Sequence, residues 1–296
     1  MKRAHEGYAG RLLGAAVLSA VLGGCDVTNP GPVQDEFLDV AASHAPLVRG
    51  AERTLAQAIT RLALMGALPA REIFPSGQGT DGLGNIVSQA GRILPEHSGP
   101  MWNYLQQSRW VSEDAIARFT QPGYVVKPEI VTQARLWAGY SNKIFGENFC
   151  EVVFNAGAAL APSEALKRAE KHFADALAGA TTDAHRNAAY AGRAQTRLAL
   201  ANWSGAVEDA TRVPVDFVLQ VQGTGGGELD VRNLIFFAVA DLPYRNFSMH
   251  FTNAYDYYLA TGDPRAAWES PAGKPYANGS WPGYGLVPFS RPLKHN

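Results

Sequence analysis

The nucleophilic and titratable residues of this chain do not fall into the spacings that catalysis requires. Its seven histidines are His5, His44, His97, His172, His185, His250 and His295. They form no HExxH or other paired ligand spacing, so neither a resident metal nor a metal-activated water is expected. Gly223-Thr224-Gly225-Gly226-Gly227 lacks the Lys-Ser/Thr pair of a phosphate loop and reads as a flexible segment, and no GxSxG elbow offers a nucleophile. Glu164, Glu170, Asp175, Glu208 and Asp209 lie on helical stretches, where solvated charge accounts for them. Glycoside hydrolysis needs two carboxylates held across a sugar, and nothing singles out such a pair. The expectation is a protein with no catalytic residues, no metal and no cofactor.

Binding chemistry is better supplied. An aromatic ring can cover the apolar C–H face of a sugar while neighbouring amides and carboxylates bond its hydroxyls. Tyr276, Asn278, Trp281 and Tyr284 in the C-terminal loop, with Asp81 and Asn85 in an earlier one, are the candidate ligand contacts. The same aromatic residues would equally serve to anchor a lid on the rest of the fold. Trp102, Trp110, Trp137 and Trp203 lie at core spacing on helical stretches and are expected to pack.

Several elements must hold those loops. Lys2, Arg3 and Arg11 precede an apolar run from Leu12 to Leu22, too short to span a bilayer and the right length for a signal-peptide core. The run ends Leu22-Gly23-Gly24-Cys25, which resembles a bacterial lipobox. On that reading residues 1–24 are removed and Cys25 carries the lipid; the alternative is an ordinary cleaved signal followed by a free cysteine. Several acyl chains, at about 0.8 kcal/mol per buried methylene, would hold the chain on a membrane. Residues 25–34 form a tether and residues 35–296 a single domain. The other cysteine, Cys150, is expected to be a buried apolar residue. Charged residues make up 18 % of the 296, and the formal net charge is −1. That is a globular composition with no basic stripe for nucleic acid.

Hydrophobic periodicity predicts helices from Pro46 through Leu47, Ala51, Leu55, Ala58, Leu62 and Met65; from Met101 to Phe119; and after Pro128 through Ile130, Ala134, Trp137, Ser141 and Ile144. Within Ser163–Pro214, Ala169/Phe173/Ala176 recurs as Ala206/Ala210/Val213. Both triplets place a small residue and two partners on one helical face. Asn202-Trp203-Ser204-Gly205-Ala206 falls where a tetratricopeptide motif has its inter-helix turn, so the stretch resembles such a repeat pair; an alanine-rich helical hairpin is the plainer alternative. Val215–Val221 reads as a possible short strand, Leu234–Val239 as helix or strand, and Asn253–Ala260 as a helix ended by Thr261-Gly262-Asp263-Pro264. Five prolines beyond Ser270 forbid one helix there. The fold class is mainly α, a tetratricopeptide-like scaffold with long irregular loops and little β.

In order along the chain stand the lipobox, Phe37 followed by Leu47-Val48-Arg49-Gly50-Ala51, Asp81-Gly82, Trp102-Asn103-Tyr104-Leu105, the stretch Ala134 to Gly146, the repeat pair, Tyr257-Tyr258-Leu259, and Asp263-Pro264-Arg265. In that order the chain resembles the SusD/RagB family of bacterial surface lipoproteins. The resemblance implies capture of a glycan or similar nutrient, without chemistry, and its delivery to a TonB-dependent, SusC-like outer-membrane transporter. It implies an outer-membrane location facing the exterior. Family members usually extend further, so the chain reads as a short or C-terminally truncated one. Asp26, directly after Cys25, stands at a position that helps decide which membrane keeps a lipoprotein, and surface location rests on the resemblance alone. The competing expectation is a lipoprotein scaffold that binds other proteins.

Overall fold

The computed structural model describes residues 35–75, 95–221, 234, 247–266, 268–269, 276–281, 285–288 and 291–292. The signal segment, the tether and Cys25 lie outside them. The chain divides into two compact units, Met1–Ser43 and His44–Asn296. Of the first, Asp35–Leu38 form a 3-10 turn.

The fold is mainly helical. Helix α1 spans Ala41–Ala67, α2 Pro95–Phe119, α3 Pro128–Asn148, α4 Pro162–Gly179, α5 Asp183–Ala199, α6 Trp203–Ala210 and α7 Asn253–Thr261. The helix boundaries follow local chemistry. Prolines, which lack an N–H that the first turn would leave unbonded anyway, open α3 and α4. Side-chain oxygens of Thr182, Asn202 and Thr252 accept from the first-turn amides of His185, Gly205 and Tyr255 and so start α5, α6 and α7. Gly262, at φ 65°, ends α7 by donating to the Tyr258 carbonyl over 2.8 Å. Two helices start earlier than their periodicity suggests. Pro46 and Pro100 lie inside α1 and α2 rather than at their starts, each forfeiting one backbone bond.

One core runs through α1 to α5. Val48, Leu55 and Ala58 meet Leu105, Ala115 and Phe119, then Ala134, Trp137 and Phe145, then Ala165, Ala169, Phe173 and Ala176, then Ala188 and Ala189. Phe173 is its narrowest joint. A methyl on Gly139 of α3 would lie 2.6 Å from the Phe173 ring, and one on Gly192 of α5 would collide with the same ring. Tyr140 meets that ring edge-on at 4.9 Å and donates to the Ala188 carbonyl at 2.7 Å. At the far end of the α3–α4 pair, Thr132 donates to Gly179 O and Arg135 to Asp175 O. Ser108 of α2 donates to Ala51 O of α1 and meets Ser141 of α3 at 2.9 Å. Only small side chains allow three helices to approach this closely.

The mainly helical expectation holds, while the two triplets of the expected repeat differ in burial. Ala169, Phe173 and Ala176 are all fully buried, but in the second triplet only Ala206 is; Ala210 is exposed and Val213 lies beyond the end of α6. The buried partner on α6 is instead Asp209, which corrects its reading as a solvated carboxylate. Trp137 is buried and Trp102 packs against the core, whereas Trp110 is 51 % and Trp203 64 % exposed. Cys150 is exposed, not buried; it sits at the bend between the end of α3 at Asn148 and Val152, which is fully buried. Val215–Val221 forms no ladder among the described residues.

The strands are short and paired in twos: β1 (Phe74–Pro75) with β4 (Phe247–Ser248), β2 (Val152–Val153) with β3 (Ala159–Leu160), β5 (Trp268–Glu269) with β8 (Arg291–Pro292), and β6 (Tyr276–Trp281) with β7 (Gly285–Pro288). The last two ladders are nested, so the proline-rich end described here is hairpin rather than plain loop; its prolines exclude a helix but are tolerated on edge strands.

Two substitutions test this packing. Gly192→Ala drives a methyl into Phe173 and is expected to cost about 1–3 kcal/mol in urea denaturation. Asn155 and Ala156, at φ 52° and 56°, form the tight turn that Gly157 N closes onto Phe154 O, a conformation that favours Asn-Gly. Ala156→Gly is therefore expected to stabilise by about 1 kcal/mol.

Candidate functional site

Two buried polar clusters in the helical body hold paired charged groups, and in the first of them Asn142 Oδ1 is buried with no hydrogen-bond partner among the described residues. In the first, Arg109 is 2 % exposed. It donates through Nη1 to Glu113 Oε2 at 2.5 Å, through Nε to Gln106 at 3.0 Å and through Nη2 to Asn155 at 3.0 Å. The other Glu113 oxygen accepts from Asn142 at 2.9 Å, with His172 Nε2 at 3.6 Å. Burial alone would raise the Glu113 carboxyl; the nearby His172, the bond from Asn142 and the Arg109 charge outweigh it and bring the pKa down to about 2. In the second cluster, fully buried Asp209 accepts two bonds of 2.7 Å from Arg193 and one of 3.0 Å from Arg197, which also reaches Glu170 at 2.8 Å. These clusters bind helix to helix: α2 to α3 and α4, and α4 to α5 and α6. Among the described residues no group of three or more His, Cys, Asp or Glu is placed to hold a metal ion, and no helix is long and apolar enough to cross a membrane.

The surface feature with binding chemistry lies elsewhere. A second hydrophobic cluster, Leu64, Met65, Leu68, Ile73, Met101, Phe247 and Met249, includes Phe247 of the β1–β4 ladder, and Trp268 packs against it. Through Trp268 it adjoins a row of rings in pairwise contact. Phe74 meets Phe251 edge-on at 5.1 Å, Phe251 meets His250 at 4.5 Å, and His250 meets Tyr255 at 4.4 Å. Tyr255 then stacks on Trp268 at 4.2 Å and 17°, and Trp268 meets Tyr258 at 6.1 Å. Phe251 is 44 % exposed and held at φ 61°. A bulky residue in that left-handed region costs energy and persists only where its surroundings impose it. Here Phe251 lies between His250 and Thr252, the N-cap of α7. Burial lowers the His250 pKa against the opposing pull of Asp256, leaving the imidazole neutral at neutral pH. Beside the row, Asp263 is gripped by Arg265 at 2.7 Å and accepts from the Tyr257 hydroxyl at 3.2 Å.

This row connects the roots of both loops in which the sequence places ligand contacts. Residue 76 follows Pro75, which pairs with Phe247, so the segment bearing Asp81 and Asn85 leaves from one end of the row; both residues lie outside the described ones. Trp268, toward the other end, opens the outer ladder of the nested hairpins with Pro292 opposite it. The inner ladder pairs Tyr276 with Pro288 and Trp281 with Gly285, and Asn278 falls at its irregularity between Tyr276 and Ser280. Tyr284 lies outside the described residues. The row itself goes unread in the sequence, although Phe251, Tyr255 and Tyr258 recur at spacings of four and three; only the last two fall within α7, so no single period exposes them.

No family model, no curated protein and no solved structure matches the chain.

The Glu113 cluster yields a pH test. With the folded pKa near 2 and the ordinary value at 4.5, its contribution is complete above about pH 4.5 and is lost as pH falls toward 2. It amounts to about 3 kcal/mol. Acid titration followed by circular dichroism is expected to show stability falling less steeply across that window in Glu113→Gln, whose starting stability is lower.

Proposed function

We propose that the chain is a lipid-anchored binding protein of the bacterial envelope, of SusD/RagB type. On this reading it captures a glycan or similar nutrient and passes it to a TonB-dependent outer-membrane transporter without breaking a bond. The observation that carries this reading is the aromatic row Phe251–His250–Tyr255–Trp268 at the roots of two loops. Ring faces there provide the apolar half of sugar recognition, and the polar residues of the loops, Asp81, Asn85 and Asn278, provide the hydroxyl partners. Tyr276, Trp281 and Tyr284 are further candidate ring contacts on this reading. The helical stack serves as the rigid mount, and Cys25, lipidated after removal of residues 1–24, as the tether point facing the cell exterior.

A second reading, a tetratricopeptide-type scaffold for protein partners, draws on one observation. Trp203 and Val207, one turn apart on α6, are 64 % and 63 % exposed, an apolar face where a further helix of a repeat stack would pack. Co-purification separates the two: the first reading expects a TonB-dependent transporter together with carbohydrate, the second expects envelope proteins and no carbohydrate.

Two experiments check the first reading. Cys25→Ala is expected to move the protein from the membrane fraction to the soluble one, and unchanged membrane retention would sink the anchor. On a glycan array, the double substitution Tyr255→Ala/Trp268→Ala is expected to lower retention of any bound sugar at least tenfold while helical circular dichroism stays intact. Equal retention by the variant would remove the row from recognition.

A further inference from the structure

The Asp263 carboxylate is committed to its own chain. Oδ1 accepts from the Arg265 amide at 2.9 Å and from Arg265 Nε at 3.1 Å, while Oδ2 accepts from Arg265 Nη2 at 2.7 Å and from the Tyr257 hydroxyl at 3.2 Å. The Asp263 amide donates to Thr261 Oγ1 at 3.2 Å, and its carbonyl accepts from the Ala266 amide at 3.1 Å. A surface ion pair alone holds little. Here a two-pronged guanidinium fork is joined to a side-chain-to-backbone turn, and together they fix the path from the end of α7 through Gly262 and the 3-10 turn Pro264–Ala266. Two residues beyond that turn stands Trp268, stacked on Tyr255 at 4.2 Å and 17°. Its other restraints are loose. The indole N–H reaches the Tyr255 carbonyl at 3.4 Å, long for such a bond, and its ladder partner in β8 is Pro292, which has no N–H to give. Packing against the Met249 cluster buries the ring without fixing its angle, because apolar burial is non-directional.

Taking the ring row as the sugar-binding surface proposed above, we infer that Asp263 is its positioning residue: by fixing the connection from α7 to β5, it sets the distance and tilt at which Trp268 meets Tyr255. Stacking occupies one face of each ring. The pair therefore keeps at most one face per ring for a ligand and offers a platform rather than a slot that closes on both sides of a sugar. The tilt of that platform decides how a pyranose lies on it while its hydroxyls reach polar partners on the loops. Asp263 needs no contact with the ligand and acts through Trp268.

Near-ultraviolet circular dichroism of the whole chain tests the placement, and retention on a glycan array tests its use. The difference between the wild-type chain and Trp268→Phe gives the contribution of the stacked indole. Asp263→Ala is expected to lose most of that contribution while the helical signal and melting temperature stay as in the wild type. Retention of any sugar the wild-type chain holds is expected to fall about fivefold, the cost of ordering one more side chain on binding. Asp263→Asn keeps an acceptor for the Arg265 amide and is expected to recover part of the indole contribution. A full indole contribution in Asp263→Ala would overturn the inference. So would a contribution that falls only together with the helical signal and that Asp263→Asn does not restore. A wild-type chain that retains no sugar would contradict capture, and the indole signal would still decide whether Asp263 places Trp268.

Discussion

The helical body depends on one ring. Phe173 fills the gap that Gly139 leaves on α3 and Gly192 leaves on α5, so three helices meet across the thickness of a phenyl group. Without side chains at those two positions, α3 and α5 can both close on α4; with them, the helices would have to separate and the alanine-rich seams of Ala134, Ala169, Ala176, Ala188 and Ala189 would lose contact. Gly146 repeats the device lower down, where an added methyl would meet Leu166 of α4 at 2.5 Å. Tyr140 closes the joint from the side. Its hydroxyl is committed to the Ala188 carbonyl, and burial keeps the phenol protonated well above its ordinary range.

Small seams bury little area per residue, and polar clusters complete the fastening. Asp209 reaches the core only because Arg193 grips it with both carboxylate oxygens and Arg197 adds a third bond; removing either partner type would strand a buried charge. Arg109 does the same between α2 and the β2–β3 turn, stacking on Phe154 at 4.8 Å while bonding Asn155. Such networks fix which helix faces meet.

Much of the helical body was legible in the sequence because 3.6-residue periodicity reports burial directly. Ala51, Leu55 and Ala58, then Leu105 and Phe119, then Ala134 and Trp137, then Ala169, Phe173 and Ala176 are all buried as that spacing implies. What periodicity missed were tertiary matters. Asp209 looked solvated because its partner arginines lie on another helix. Trp110 and Trp203 looked buried because large apolar residues at core spacing normally are, yet α2 and α6 present those positions outward. Helix starts moved because Pro46 and Pro100 are tolerated inside long helices held by packing. The candidate site was half legible. Its loops were flagged by aromatic and polar composition, but the row that joins their roots is assembled from Phe74, the β4–α7 junction and Trp268, residues brought together only by the β1–β4 pairing.

Function, on this account, divides the molecule: the Phe173-centred stack supplies rigidity, and the ring row with its two loops supplies contact. Hydrogen exchange of the whole chain, with and without a panel of oligosaccharides, tests that division most directly. The account predicts that a bound sugar slows exchange in Phe247–Glu269 and the loops leaving it, with α3 to α6 unchanged. Slowing confined to α4–α6, or no change anywhere with any carbohydrate, would contradict it.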